Sequence, residues 1–104
     1  MKAFQKYVLL GKALKTFELV VIAKGVQNDF GYIGEFPTHV LVTREGGLDT
    51  KIPYTKLLTV IEVYQANPEL YDIGPAALRD FGITHITSPI WAILHLLKKT
   101  DYLD

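Results

Sequence analysis

Three proline-marked breaks in the second half of this chain constrain its fold more than any other feature. They are Asn67-Pro68, Gly74-Pro75 and Ser88-Pro89. Proline pushes the residue before it out of the helical region, so Asn67 closes whatever helix precedes it. Proline is tolerated at the first helical position, where its missing N–H has no partner to lose, so Pro75 and Pro89 each open a new helix. The stretch therefore divides into helices over residues 54–67, 74–81 and 88–99. Leu57, Leu58, Ile61 and Tyr64 recur at helical spacing in the first. Ala76, Ala77, Leu78 and Phe81 fill the second, and Gly82 stops it. Ser88 reads as the N-cap of the third, whose buried stripe is Ile90, Ile93, Leu94 and Leu97. Three short helices hold together only around a shared apolar centre. Leu57, Ile61, Leu78, Phe81, Ile90, Leu94 and Leu97 are its expected members.

The segments AALRDFGIT, SPIWAILHLLKK and DYL, in that order, resemble a winged-helix or helix-turn-helix module. The resemblance spans residues 54–103 and is to the class, not to one family. It implies DNA binding by a transcriptional regulator. Residues 88–99 would be the recognition helix, and Lys98 to Leu103 would lead into an exposed wing. Arg79, Thr84, His85, Thr87, Ser88, Lys98 and Lys99 are then the candidate nucleic-acid contacts. Lys2 and Lys6 could add phosphate contacts.

Two features depart from that pattern. With Ile90, Ile93, Leu94 and Leu97 turned inward, the third helix offers Pro89, Trp91, Ala92, His95, Leu96 and Lys98 to the outside. Base edges are usually read by Arg, Lys, Asn, Gln, Ser or Thr. No wing follows the third helix, and the hairpin around Glu45-Gly46-Gly47 is the nearest substitute. An exposed apolar patch more often marks a partner surface. The alternative reading is thus a protein-interaction or assembly module, with Trp91 and Leu96 in the interface or covered by the N-terminal helix. A homodimer is expected in either case, with Trp91 and Leu96 or the N-terminal helix in its interface, because two-fold symmetry is the commonest closed arrangement.

The first half reads as a helix followed by a small sheet. Phe4, Tyr7, Val8, Gly11 and Leu14 fall on one side of a helix over residues 1–15. Residues 16–24 read as a strand with Phe17, Leu19, Val21 and Ala23 on one face, pairing antiparallel with a strand at residues 39–44. Residues 25–37 read as a loop with Asn28-Asp29, Gly31, Gly34 and Pro37 as turn formers and Phe30, Tyr32, Ile33 and Phe36 tucked beneath it. Glu45-Gly46-Gly47 is a tight turn into a third strand over residues 48–52, and Pro53 ends the sheet. The whole is one α+β domain, residues 1–104. An N-terminal helix and a two- to three-stranded antiparallel sheet (residues 1–53) precede the three-helix part (residues 54–104).

Composition narrows the function. The chain has no cysteine, so it has no disulfide, thiolate metal site or cysteine nucleophile. That and the lack of a recognisable leader lead one to expect a cytoplasmic protein. No apolar run approaches membrane-spanning length, and no membrane partner is expected. Net charge is zero, yet Lys2, Lys6, Lys12, Lys15 and Lys24 face only Glu18 in the first 27 residues. Such a basic part could meet a phosphate backbone or an acidic neighbour. His39, His85 and His95 lack metal-pair spacing, and the one serine, Ser88, is explained as a cap. No phosphate-binding glycine loop occurs. No catalytic residue, metal or cofactor is assigned, and an enzyme is not expected.

Overall fold

A computed structural model describes residues 2–24, 30–44, 49–84 and 86–103. The chain begins with a long helix, α1 (Lys2–Lys24), and three antiparallel strands follow: β1 (Phe30–Glu35), β2 (His39–Arg44) and β3 (Asp49–Pro53), in that spatial order. Helix α2 (Tyr54–Ala66) leads into two 3₁₀ segments, Pro68–Asp72 and Pro75–Phe81. Helix α3 (Thr87–Leu94) and a last 3₁₀ turn, Lys99–Tyr102, complete the chain. The α+β class, the N-terminal helix and the small antiparallel sheet are those expected from the sequence.

The expected strand over residues 16–24 is instead the second half of α1. Its apolar run suits either structure locally, and β-branched residues lean towards strand. The helix already running from Lys2 decides the matter, because extending a helix is far easier than starting one. Leu9, Leu10, Ala13, Leu14 and Phe17 then make one continuous buried stripe. This is not the face expected over residues 1–15. Leu14 belongs to it, but Tyr7 and Val8 are 56% and 68% exposed, and Gly11 faces out.

The partner of β2 is therefore not residues 17–24. It is β1, which lies inside the stretch expected to be a loop. Gly31 and Gly34 are strand residues. The register shifts between Tyr32 and Gly34, and this bulge turns Ile33 outward. β2 and β3 pair in register, with Val40 opposite Ile52. Val40, Val42 and Ile52 are fully buried on the inner face. The turn expected at Glu45-Gly46-Gly47, like Asn28-Asp29, lies outside the described residues. Pro53 ends β3 and serves as the N-cap residue of α2, as its fixed φ allows.

The buried side chains form one core between the sheet, α1, α2 and α3. Phe17 of α1 meets Tyr32 of β1 edge to face, with ring centroids 5.7 Å apart. Leu57, Ile61, Leu78, Ile90, Leu94 and Leu97 are buried as expected. Phe81 is not: it is the last residue of a 3₁₀ segment and is 38% exposed. Gly82 follows it at φ 86°, a conformation glycine adopts without strain, and its N–H returns to Arg79 and Leu78 carbonyls.

The third helix is shorter than expected. It starts at Thr87, after Ile86 in the left-handed region, so Ser88 is its second residue and not its cap. Pro89 is the third residue, where an N–H would still lack an intrahelical partner. The helix ends at Leu94, where the His95 N–H still reaches Trp91 O at 3.0 Å and the Leu96 N–H makes a tighter turn to Ile93 O at 3.2 Å. Tyr102 donates its hydroxyl to Leu94 O, and His95 Nδ1 sits 2.8 Å from Trp91 O. Tyr102, expected at the start of an exposed wing, is buried. Among the described residues no helix is long and apolar enough to cross a membrane.

Candidate functional site

The sequence-predicted nucleic-acid contacts fall into two groups at opposite ends of α3. Arg79, Thr84 and Ser88 are exposed near its start, with Thr87 half-buried. His85 lies outside the described residues. Lys98 and Lys99 follow its far end. The Lys98 ammonium is exposed, and its backbone N–H donates to Asp101 Oδ2 at 2.8 Å. Lys99 forms an ion pair with Asp72. Lys6 is likewise engaged, with Glu62, whose hydrogen bond holds the ammonium above its ordinary range. Between the two ends, α3 has little surface of its own. Pro89, Ile90, Ala92, Ile93 and Leu94 are buried, so Ser88 is its one exposed residue. Pro89 and Ala92 were expected to face out. They are buried, because α3 packs on the 3₁₀ segment Pro75–Phe81, on α1 and on α2, while residues 68–73 lie over its Trp91 side.

That covering segment makes the best-defined polar arrangement of the molecule. Trp91 and Leu96, expected as interface residues, are both half-buried against the core. The Trp91 indole N–H donates to Ile73 O at 3.0 Å. Its ring stacks on His95, with centroids 4.0 Å apart and planes 22° apart. The other face of His95 stacks on Tyr71 at 4.1 Å and 24°. His95 Nε2 lies 2.7 Å from Tyr71 O, and the Tyr71 hydroxyl donates to Leu97 O at 2.6 Å. Tyr64 of α2 meets His95, Tyr71 and Tyr102 edge to face. Burial pushes the Tyr64, Tyr71 and Tyr102 phenols up, and the neighbouring Asp101 and Asp72 charges add to it at Tyr71. They stay neutral at physiological pH and carry no acid–base role there. Sequence spacing missed this cluster because its members come from four segments. The signal available was the aromatic density of YQANPELYD and of DYL.

A second surface lies on the opposite side of α1. Tyr7, Val8 and Leu19 are exposed there, together with Gly11, Lys12 and Lys15. Lys12 reaches Asp101 Oδ1 at 2.9 Å, which ties α1 to the last turn. This hydrogen bond, joined by the Lys98 N–H, holds the Asp101 carboxyl below its ordinary value of 3.8. At 23 residues and ~1.5 Å per residue, α1 runs the length of a molecule 35 Å long. On the sheet, burial and a hydrogen bond to Glu35 push the Tyr32 phenol up to about 12. Phe36 stacks on His39 at the β1–β2 turn, and both Ile33 and Phe36 stay largely exposed. Tyr32 packs inward, against Phe17. Among the described residues no group of three or more histidines and carboxylates is placed to hold a metal ion.

No protein-family model, curated protein or solved structure matches this chain. Its own geometry is therefore the basis for a functional reading.

Proposed function

We propose that this protein is an assembly module, and that it associates through the outer face of α1 with a second copy of itself. The observation that carries this is the distribution of exposed apolar groups on α1. Tyr7 and Val8 lie towards one end of the face, Leu19 lies towards the other, and Gly11 is between them. These groups are arranged about a point near residue 13. An antiparallel copy then sets Tyr7 and Val8 against the partner's Leu19 at both ends and Gly11 against the partner's Lys15 in the middle. Glycine there leaves room for the close approach. Glu18 falls within a helical turn of the partner's Lys12, a favourable placement of charge. A parallel copy would set Lys15 against Lys15. Sedimentation equilibrium tests the proposal. A dimer is expected at high micromolar concentration, and the double variant Val8→Asp/Leu19→Asp is expected to be a folded monomer. A monomeric parent protein would overturn it.

The second reading is a DNA-binding regulator of helix-turn-helix type. It is supported by the order of Pro75–Phe81, the left-handed Gly82 and α3, and by the exposed Arg79, Thr84, Ser88 and Lys98. Weighing on the other side are the burial of α3 on nearly all sides and the ion pairing of Lys99. A gel-shift titration with mixed duplex DNA at low salt separates the two readings. Retardation whose salt slope falls by about one unit on Lys98→Ala would favour DNA binding, since each phosphate contact releases counterions. No retardation favours the assembly module.

A further inference from the structure

We infer that the last turn of the chain, Lys99–Tyr102, belongs to the assembly interface, where its Asp101 neutralises a lysine cluster at the centre of symmetry. The inference rests on the antiparallel pairing of α1 proposed above. Pairing about a point near residue 13 gathers four ammonium groups. At ~1.5 Å per residue, Lys12 and Lys15 of each copy lie within about 3 Å of that point along the axis. Glu18 lies further out, about 7.5 Å along the axis. Lys6 is turned aside to Glu62. The described outer face of α1 therefore brings two lysines and one glutamate per copy to the middle of the seam, a net charge of +1 each. Two such faces repel where they approach most closely.

The balancing charge comes from the far end of the chain. Lys12 Nζ lies 2.9 Å from Asp101 Oδ1. With one Asp101 for each Lys12, the middle of the seam holds two positive and two negative groups per copy and is neutral. Lys12 is not what brings the carboxylate there. The Lys98 N–H donates to its other oxygen at 2.8 Å, and the next residue, Tyr102, is buried and gives its hydroxyl to Leu94 O. Asp101 is thus anchored to the core and holds Lys12 in place before a partner arrives. Fixing the lysine beforehand lowers the ordering cost of association. The Lys12 side chain is 55% exposed, against 24% for Asp101, so the lysine is the member of the pair with surface left to meet a partner. A closing seam excludes water from the pair, and weaker screening strengthens its attraction. Of the other charges on this turn, Lys99 pairs with Asp72 and Lys98 is exposed to water.

Sedimentation equilibrium of the full chain at low and high salt tests this. The parent should dimerise with a dissociation constant that changes little with salt, because its seam is neutral. At low salt, Asp101→Asn should raise that constant by about fivefold, the size expected of an exposed ion pair. Added salt should shrink the difference, since it screens the exposed lysines. Adding Lys12→Gln to Asp101→Asn should restore most of the affinity. That rescue separates lost charge balance from a loosened last turn, which removal of Lys12 would not mend. Two results would overturn the inference and leave the α1 pairing standing. One is an Asp101→Asn variant that dimerises like the parent. The other is a weakened dimer that neither salt nor Lys12→Gln restores. A monomeric parent would remove the pairing itself, and the inference with it. If Asp101→Asn does not fold, the salt series on the parent decides. A parent dimer that tightens steeply as salt is added would show uncompensated lysines and overturn the inference.

Discussion

Two buried tyrosines, 5.3 Å apart between ring centroids, should respond oppositely to the loss of a hydroxyl. Tyr102 is 2% exposed and gives its O–H to Leu94 O, the carbonyl at the end of α3. That carbonyl is one of the four that any helix leaves without an intrahelical partner. Tyr102→Phe keeps the ring in place and strips the carbonyl of its donor inside the core. A buried polar group left unpaired costs about 1–3 kcal/mol. Tyr64 is fully buried, and its hydroxyl has no hydrogen-bond partner among the described residues. It already bears such a penalty, so Tyr64→Phe should stabilise the fold by about 1 kcal/mol, after allowance for a small void. For a domain of this size each kcal/mol moves the thermal midpoint by about 4–8 °C. Calorimetry on the two single variants should therefore show shifts of opposite sign. Equal destabilisation by both would refute the reasoning, because it would mean that the Tyr64 hydroxyl has a partner too.

Gly11 and Gly82, two of the three described glycines that face open space, should also part company. Gly11→Ala, in the middle of α1 with nothing within 4 Å of an added Cβ, should stabilise by about 0.5–1 kcal/mol. Gly82→Ala has as much room, but its φ of 86° strains any other residue and should cost about 1–2 kcal/mol. Denaturant midpoints at constant slope read both changes. Leu94→Ala, at a fully buried position, should cost about 2–5 kcal/mol, and an unchanged midpoint would show that α3 does not face the core. Asp101 should contribute to acid sensitivity. Its carboxyl is held below 3.8 by Lys12 and the Lys98 N–H, so its stabilisation is present above that pH and is lost as pH falls through the lower folded value. Asp101→Asn should flatten the unfolding midpoint's dependence on pH in that acid window, as circular dichroism can follow.

The parts of the fold legible in the sequence are those set by local chemistry. The Asn67-Pro68 stop, the Gly82 stop and the apolar alternation of β2 each follow from one or two neighbouring residues. The extension of α1 through Leu19 and Val20 was hidden, because that run has strand-like residues and only the preceding helix makes it helical. β1 was hidden by Gly31 and Gly34, which look like turn residues but form a bulge. Tyr102 meets the Leu94 carbonyl at the early end of α3 only once the last turn has folded back, a contact that no local spacing announces. The candidate site suffered most from this. Trp91 and Leu96 look exposed on a helical wheel, yet residues 68–73 lie across the Trp91 side of α3. The exposed Val8 and Leu19 were assigned to buried faces by their spacing alone.

The central claim is that α1 meets a second α1 running the other way. Because the chain has no cysteine, a spin label can be placed at any single introduced cysteine, and pulsed dipolar spectroscopy then measures the distance between copies. Pairing centred near residue 13 places residue 12 close to residue 12 of the other copy. It places residue 5 about 24 Å from its equivalent along the axis, at ~1.5 Å per residue. Short distances for Lys12→Cys with long ones for Gln5→Cys are the predicted result. Equal distances at the two positions, or no coupling between copies at either, would contradict the account.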